Sequence, residues 1–546
     1  MANFSKILGL ASTALVFAGM AYGQNATVSG GSASQTPLVR VEGTTELVGE
    51  YTFTVTGNGT ASTINILDIL SLPVTSKLLV TSGTPAYTEA VAVANGSVYQ
   101  GTVSGSQVTF SGIVIPATGA YTVTIANIRV NATSLTVGSG TPPAITESAF
   151  VSGVAVNSAV TTSAPVAYAF TGLSTQTAYA ALPLTSSNKG VNTFLVCQGY
   201  KTSAGLVGYI DVGENFATAF KGVGTAASNS TLGSEFTNNT ETGYVPASGL
   251  TTSSGVTNIA SSATMLQVVF SNIPSAVTLY VPTSVSADQS GGGSLLLVTS
   301  PSNLTAVSAS TSSSAATGTA ALTATSGGAT AYYLFVPTTT SSSTTETFAI
   351  ASYVVLSANT VTASTTALSA AVSFAPVGST QIPNFVVGPS TTTTTLSTFG
   401  QCTTSLLFPF VTNQLGFDTG IAIANTSSDP FGSNGATAQA GTCTINFYGA
   451  GAPSPSNVIT PTVPSGTVYT SVLSGIGAGF QGYLIATCNF QYAHGFAFIT
   501  DGVGANGGLS QGYLAGVIPD TNQVKRTTAN PIGSVTTKGN GETLGN

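Results

Sequence analysis

Charged residues make up only 5% of the 546-residue chain against 42% hydrophobic ones, and 10 Lys and Arg against 17 Asp and Glu leave a formal net charge of −7. A chain with this balance lacks the basic footprint on which polyanion binding depends, which argues against nucleic acid as a partner. Glu, Lys, Gln and Arg, the usual coat of helices, are scarce, so the surface must be covered by Ser, Thr, Asn and Gly, and an all-β chain is favoured.

In chain order, Lys6 precedes an apolar run from Ile7 to Met20, and Ala21-Tyr22-Gly23 sets small residues where a leader would be cut. Residues 1–23 are expected to be a secretory signal peptide, because the run is shorter than the roughly 18 to 20 residues that a membrane anchor needs. The roughly 520 mature residues then call for three to five domains. Residues 24–36, rich in Gly and Ser, read as a flexible arm. From Pro37 the alternation of apolar residues with Thr in Tyr51-Thr-Phe-Thr-Val-Thr56 and Tyr121-Thr-Val-Thr-Ile125, with turn signals such as Asn95-Gly96 between the runs, predicts a first β-sandwich over 37–160. Glu42, Glu46 and Glu50 are spaced by four, but glycines at 43 and 49 disfavour a helix, so they read as a solvated strand face pairing with Arg40 rather than as a metal cluster.

A second sandwich is expected over 161–290, with one short helix at Glu214-Asn-Phe-Ala-Thr-Ala-Phe-Lys221 whose Phe216 and Phe220 share a face. A third follows over 291–385. Residues 386–399, with five threonines at 391 to 395, read as an extended Thr/Pro linker. The last domain, 400–522, holds three of the four cysteines and the only histidine, and 523–546 reads as a mobile tail with neither a hydrophobic anchor nor a wall-sorting signal. The architecture expected is serial β-sandwiches, immunoglobulin-like, with little helix.

In the last domain, strand alternation puts Cys443, Ile445 and Phe447 on one face and Leu484, Ala486, Cys488 and Phe490 on another. Cys443 and Cys488 are therefore expected to form a disulfide, while Cys197 and Cys402 are left open, either bonded to each other across domains or unpaired. His494 lies beside Tyr492 and Phe496 with Asp501 seven residues on, yet no Gly-x-Ser-x-Gly elbow accompanies it, so it reads as a packed or hydrogen-bonded strand residue. Asp418-Thr-Gly420 has no second copy, and a turn explains it better than an aspartic protease does. No cofactor or metal site is expected.

The phrases Leu406-Leu-Phe-Pro-Phe-Val-Thr-Asn413, Gly416 to Ser427, Phe480 to Leu484 and Cys488 to Phe496 resemble a C-terminal module of large modular secreted β-sandwich proteins of soil bacteria. Val39 to Val48 and Ile125 to Asn131 resemble the N-terminal module of the same group. The resemblance implies export and modular β architecture and carries no activity.

Three function classes follow. The first is an exported structural or adhesive protein that acts by association, with itself or with extracellular matrix or glycan. Between residues 24 and 520 the only lysines are at 77, 189, 201 and 221, too few to guard strand edges against pairing, and the arm at 24–36 is placed to add to a neighbour's edge. The second is an extracellular carbohydrate-binding protein using Tyr in place of the absent Trp, and the third a hydrolase with an unrecognised site.

Overall fold

The computed structural model describes residues 26–518, except residue 60 and the segments 81–85, 154–155, 201–203, 226, 252–258, 339–343, 376–380, 387–392, 431–435 and 503–507. The expected signal peptide and tail lie outside the described residues. About 52% of the chain is strand and 2% helix, so the fold is all-β, built as serial sandwiches. Among the described residues no helix is long and apolar enough to cross a membrane.

The first unit wraps a twelve-stranded sheet around one core. Phe53 and Val55 of Tyr51–Asn58 and Val123 and Ile125 of Thr118–Ala126 point in from one half, and Ile64 and Ile66 of Ser62–Leu70 with Val151 of Ala144–Gly153 from the other. The halves are joined by Ala26–Ala33, which runs antiparallel to Tyr51–Asn58 and touches Val156 with Ala26 in parallel register. The segment read as a flexible arm is thus a strand of its own sheet. Two glycines explain the difference: Gly30 and Gly31 have φ of +81° and +141°, and a Cβ on Gly31 would collide with the Tyr51 hydroxyl, so only glycine lets the strand bulge across that ring. The unit also runs past the expected end at 160, because Ala164–Phe170 pairs with both Ala144–Gly153 and Leu38–Arg40.

The expected division at 290 does not separate two cores. Met265–Ser271 lies between Ser364–Phe374 and Ala329–Val336 in an eight-stranded sheet, and Gly205–Gly213 beside Thr347–Val355 in a five-stranded one. Strands from both sides of residue 290 interleave, and one cluster from Phe194 to Cys402 fills the space between the sheets. The expected linker is corrected too: Thr394–Gly400 is a strand held between Asn192–Leu195 and Ser364–Phe374, since β-branched Thr suits a pleated sheet as well as an extended spacer. Nor is 214–221 helical. It makes turns through Thr218 at φ +78°, while Phe216 and Phe220 are both buried in the same core.

The third unit begins at Thr404 rather than 400. Asn457–Ile459, Cys443–Ala450, Gln481–Cys488, Thr404–Thr412 and Gly516–Ile518 form one sheet; Val468–Val472, Asp418–Asn425, Ala493–Thr500 and Ser510–Leu514 form the other. Their inner faces enclose Phe408, Ile423, Phe447, Phe480 and Leu484.

Candidate functional site: buried ions and an uncharged, apolar surface

Most of the charged side chains among the described residues are buried or half-buried. Arg40, at the end of Leu38–Arg40, is 1% exposed; its Nε donates to Glu46 Oε1 at 3.0 Å, Nη2 to Glu241 Oε1 at 2.6 Å, and Nη1 to Ala219 O and Thr264 Oγ1 at 2.9 Å each. Its guanidinium also lies 4.7 Å from the centre of the Phe385 ring. Arg129 donates from Nε to Glu89 Oε1 at 3.0 Å, from Nη1 to Thr45 O at 3.1 Å, and from Nη2 to Glu241 O. Glu241 therefore bridges both arginines, and Lys221 is buried beside them. Burial alone would drive Arg40 to lose its proton, but Glu241 and Glu46 hold it charged, above its ordinary range. Burial likewise opposes the Glu241 charge, and Arg40, Lys221 and Arg129 win, holding its carboxyl below the usual range.

This network ties the first unit to the second. Glu241 and Lys221 belong to an irregular excursion between Gly205–Gly213 and Met265–Ser271, and its Tyr244, Val245 and Ile259 pack on Val91 and Ala126 of the first unit. A second strap runs alongside, where Thr44 N donates to Asn384 O and Val386 N to Glu42 O. The glutamates expected on a solvated face are thus part of an interface. Glu46 and Glu50 are buried, Glu42 half-buried, and only the pairing of Glu46 with Arg40 fits that expectation.

Two buried carboxyls in the first core have no such cation. Asp68 and Glu147 sit diagonally on the inward faces of Ser62–Leu70 and Ala144–Gly153, near Tyr51, whose hydroxyl bonds Thr161 Oγ1 at 2.5 Å. Burial lifts Asp68 to about 7 and lifts Glu147 well above the carboxylate range, with Asp68 adding to the second effect. Both folded values exceed those of an unfolded chain, near 4, so the folded state holds the extra proton. Stability is then full below about pH 4 and declines as pH rises towards the folded values, by up to ~1.4 kcal/mol per pH unit per proton. Asp68→Asn with Glu147→Gln should flatten this decline between pH 4 and 8 and raise the melting temperature at pH 8. An unchanged pH profile in calorimetry would rule the pair out as its source.

The remaining candidates take structural places. His494 Nδ1 lies 3.0 Å from Thr426 Oγ1 at one end of its strand, and Asp501 lies exposed beyond the other end. Asp418 accepts from Ser474 N at 3.0 Å and Ser474 Oγ at 2.5 Å, closing the turn at Leu473–Ile476. Burial opposes its charge, but these bonds from Ser474 outweigh that and hold the carboxyl below its ordinary range. Among the described residues no three His, Cys, Asp or Glu side chains form a group that could hold a metal. The structure joins Cys443 to Cys488, which face each other across neighbouring strands, at 2.03 Å. Replacing both with Ala opens a loop of 45 residues and should lower the stability of the third unit by roughly 4 kcal/mol, read from its denaturant midpoint. Cys197 and Cys402 are also bonded, and they lie within the core of the second unit rather than across domains.

The chain matches no family model and no curated protein. Among solved structures it is similar to the major pilin subunit of Bacillus cereus, at 9% identity over 82% of this chain and 96% of that one, with a TM-score of 0.20. It is also similar to the T6 backbone pilin of Streptococcus pyogenes serotype M6, at 8% identity, 90% and 80% coverage and a TM-score of 0.18. A third is the serine-rich repeat adhesion glycoprotein Srr1 of Streptococcus agalactiae, at 8% identity, 69% and 96% coverage and a TM-score of 0.14.

The surface of the described residues is correspondingly poor in charge. Among the described residues Lys189 is the one exposed cation, Asp288 and Asp501 are the exposed acids, and no Lys or Arg occurs from 222 to 524. Apolar exposure is concentrated in the third unit: of nineteen large hydrophobic side chains exposed among the described residues, eleven lie between Phe410 and Leu514, in about a fifth of the chain. On one of its sheets Tyr448 and Tyr483 stand opposite each other with rings stacked at 4.9 Å. On the other, Gly420 and Ala422 floor a groove of about 450 Å³ between Phe496 and Phe498 on one side and Val472 on the other. Sequence reasoning counted the missing lysines but not these outward aromatics, although Phe496 and Phe498 alternate with the inward Gly495 and Ala497.

Proposed function

We propose that this chain is an exported structural or adhesive protein that acts by association, related in its terminal modules to the modular secreted proteins of soil bacteria that its wording resembles. The observation that carries the reading is the inverted distribution of polarity. Proteins keep apart in solution partly through like surface charge, and strand edges are commonly guarded by lysine. Here the described surface has almost no fixed charge, and its exposed apolar residues gather on one unit. Exposed apolar side chains gathered on one sheet face, as Phe496, Phe498, Val468, Val472 and Leu514 are, mark a surface that meets another. Two disulfides suit an oxidising, extracellular setting. Fractionation of the native protein tests the proposal: it should be found on the cell surface or in large assemblies, and recovery as a free monomer that adheres to nothing would end it.

A second reading, extracellular carbohydrate binding, is favoured by one observation. The Tyr448 and Tyr483 pair is exposed on a sheet face beside the polar side chains of Asn446 and Gln481, and sugars stack on such rings. Glycan-array binding that is lost in Tyr448→Ser with Tyr483→Ser would support it.

A further inference from the structure

We propose that the outer face of the four-stranded sheet in the third unit pairs with the same face of a second copy across a two-fold axis. The inference rests on the association reading and names its partner.

The face is built from rows. Successive outward side chains are Val468, Thr470 and Val472 on the edge strand, Ala424, Ala422 and Gly420 on the next, then His494, Phe496 and Phe498, then Leu514 and Gly512. The two phenylalanines form a ridge, 42% and 38% exposed, and the small residues beside them form a furrow. That furrow is open: a Cβ built on Gly420 meets nothing nearer than Phe498 O at 3.8 Å. The ridge is supported from behind its far side, because the Phe496 ring covers Gly512 so closely that a Cβ there would come within 2.6 Å. The ridge and the furrow lie on neighbouring strands, roughly 4.8 Å apart.

A ridge beside a furrow of matching length is complementary to its own copy turned by a half rotation, which is the requirement for a closed isologous contact. Charge points to the same occupant. Rows 420–424, 468–472, 494–498 and 512–514 contain no Lys, Arg, Asp or Glu, so two such faces meet without repulsion and without burying an ion. Asp418, next along the Gly420 row, is already bonded by Ser474.

Analytical ultracentrifugation of the mature chain tests the pairing with two variants, Ala422→Arg to block the furrow and Phe496→Ser with Phe498→Ser to remove the ridge. The wild type should dimerise with rising concentration, and each variant should weaken dimerisation at least about tenfold, ~1.4 kcal/mol, while the thermal unfolding midpoint of the third unit stays in place. Mixing the two variants should restore a heterodimer, because the intact ridge of one meets the open furrow of the other and the added arginine enters the space left by the missing rings. Dimerisation unaltered in both variants would overturn the pairing and leave the association reading standing on other surfaces. A wild type that stays monomeric at all concentrations yet adheres to cells or glycans would overturn it too, with adhesion intact.

Discussion

Deleting Ala26–Ala33 should cost the first unit most of its stability and convert the chain to irregular aggregates. This strand is in register with Tyr51–Asn58 at six positions and closes the gap towards Val156–Val160. Each ladder bond contributes ~0.5–1.5 kcal/mol net, so losing the set removes several kcal/mol from a domain whose whole margin is ~5–15 kcal/mol. Ala26, 1% exposed, leaves the core as well. The bared edge of Tyr51–Asn58 alternates apolar residues with Thr and has no lysine to protect it, the composition that pairs most readily with a neighbour. Light scattering should therefore rise on deletion, opposite to what a free arm that links copies would give, where deletion would dissolve assemblies. A truncated protein with an unchanged melting temperature and unchanged scattering would refute the placement of this strand.

What the sequence made legible was what local periodicity encodes. Alternation located strands such as Tyr51–Asn58 and Cys443–Ala450, and parity alone set Cys443 and Cys488 facing into one core. What it hid were pairings across distance. Arg40 and Glu241 are 201 residues apart, and nothing near either announces the other. Glutamates at 42, 46 and 50 look solvated because most glutamates are; here Glu46 is buried against Arg40 and Glu50 accepts from Ser34 Oγ. Threonine tracts and Gly/Ser stretches misled for a physical reason, since both compositions suit extended chain, and whether extended chain is a spacer or a strand depends on the neighbour that accepts its hydrogen bonds. The interleaving around residue 290 is a matter of topology, to which no local pattern responds.

The buried network bears on how the first two units are held in fixed relation. Arg40, Arg129 and Lys221 lie buried among Glu46, Glu89 and Glu241, so removing one charge leaves its partners less compensated. Arg40→Met should therefore be severe. It keeps an apolar stem of similar length, yet it takes away the cation paired with Glu46, leaves Glu241 to Arg129 and Lys221 alone, and removes the side-chain donor to Ala219 O. Removing one partner of a buried pair costs ~3–5 kcal/mol, and because this guanidinium serves two carboxylates the upper end, ~5 kcal/mol, is expected. Arg40→Lys should recover only part of this, since a single ammonium cannot reproduce a planar fork that serves four acceptors and stacks on Phe385. The defect should appear as earlier unfolding of the first two units, with the midpoint of the third unchanged because its core is separate. Added salt should not mimic it, for burial removes the pairs from screening. If Arg40→Met unfolded at the wild-type midpoint, the network would be incidental to the junction, and the apolar cluster around Tyr244 and Ile259 with the strap at Asn384 and Val386 would have to hold the two units together.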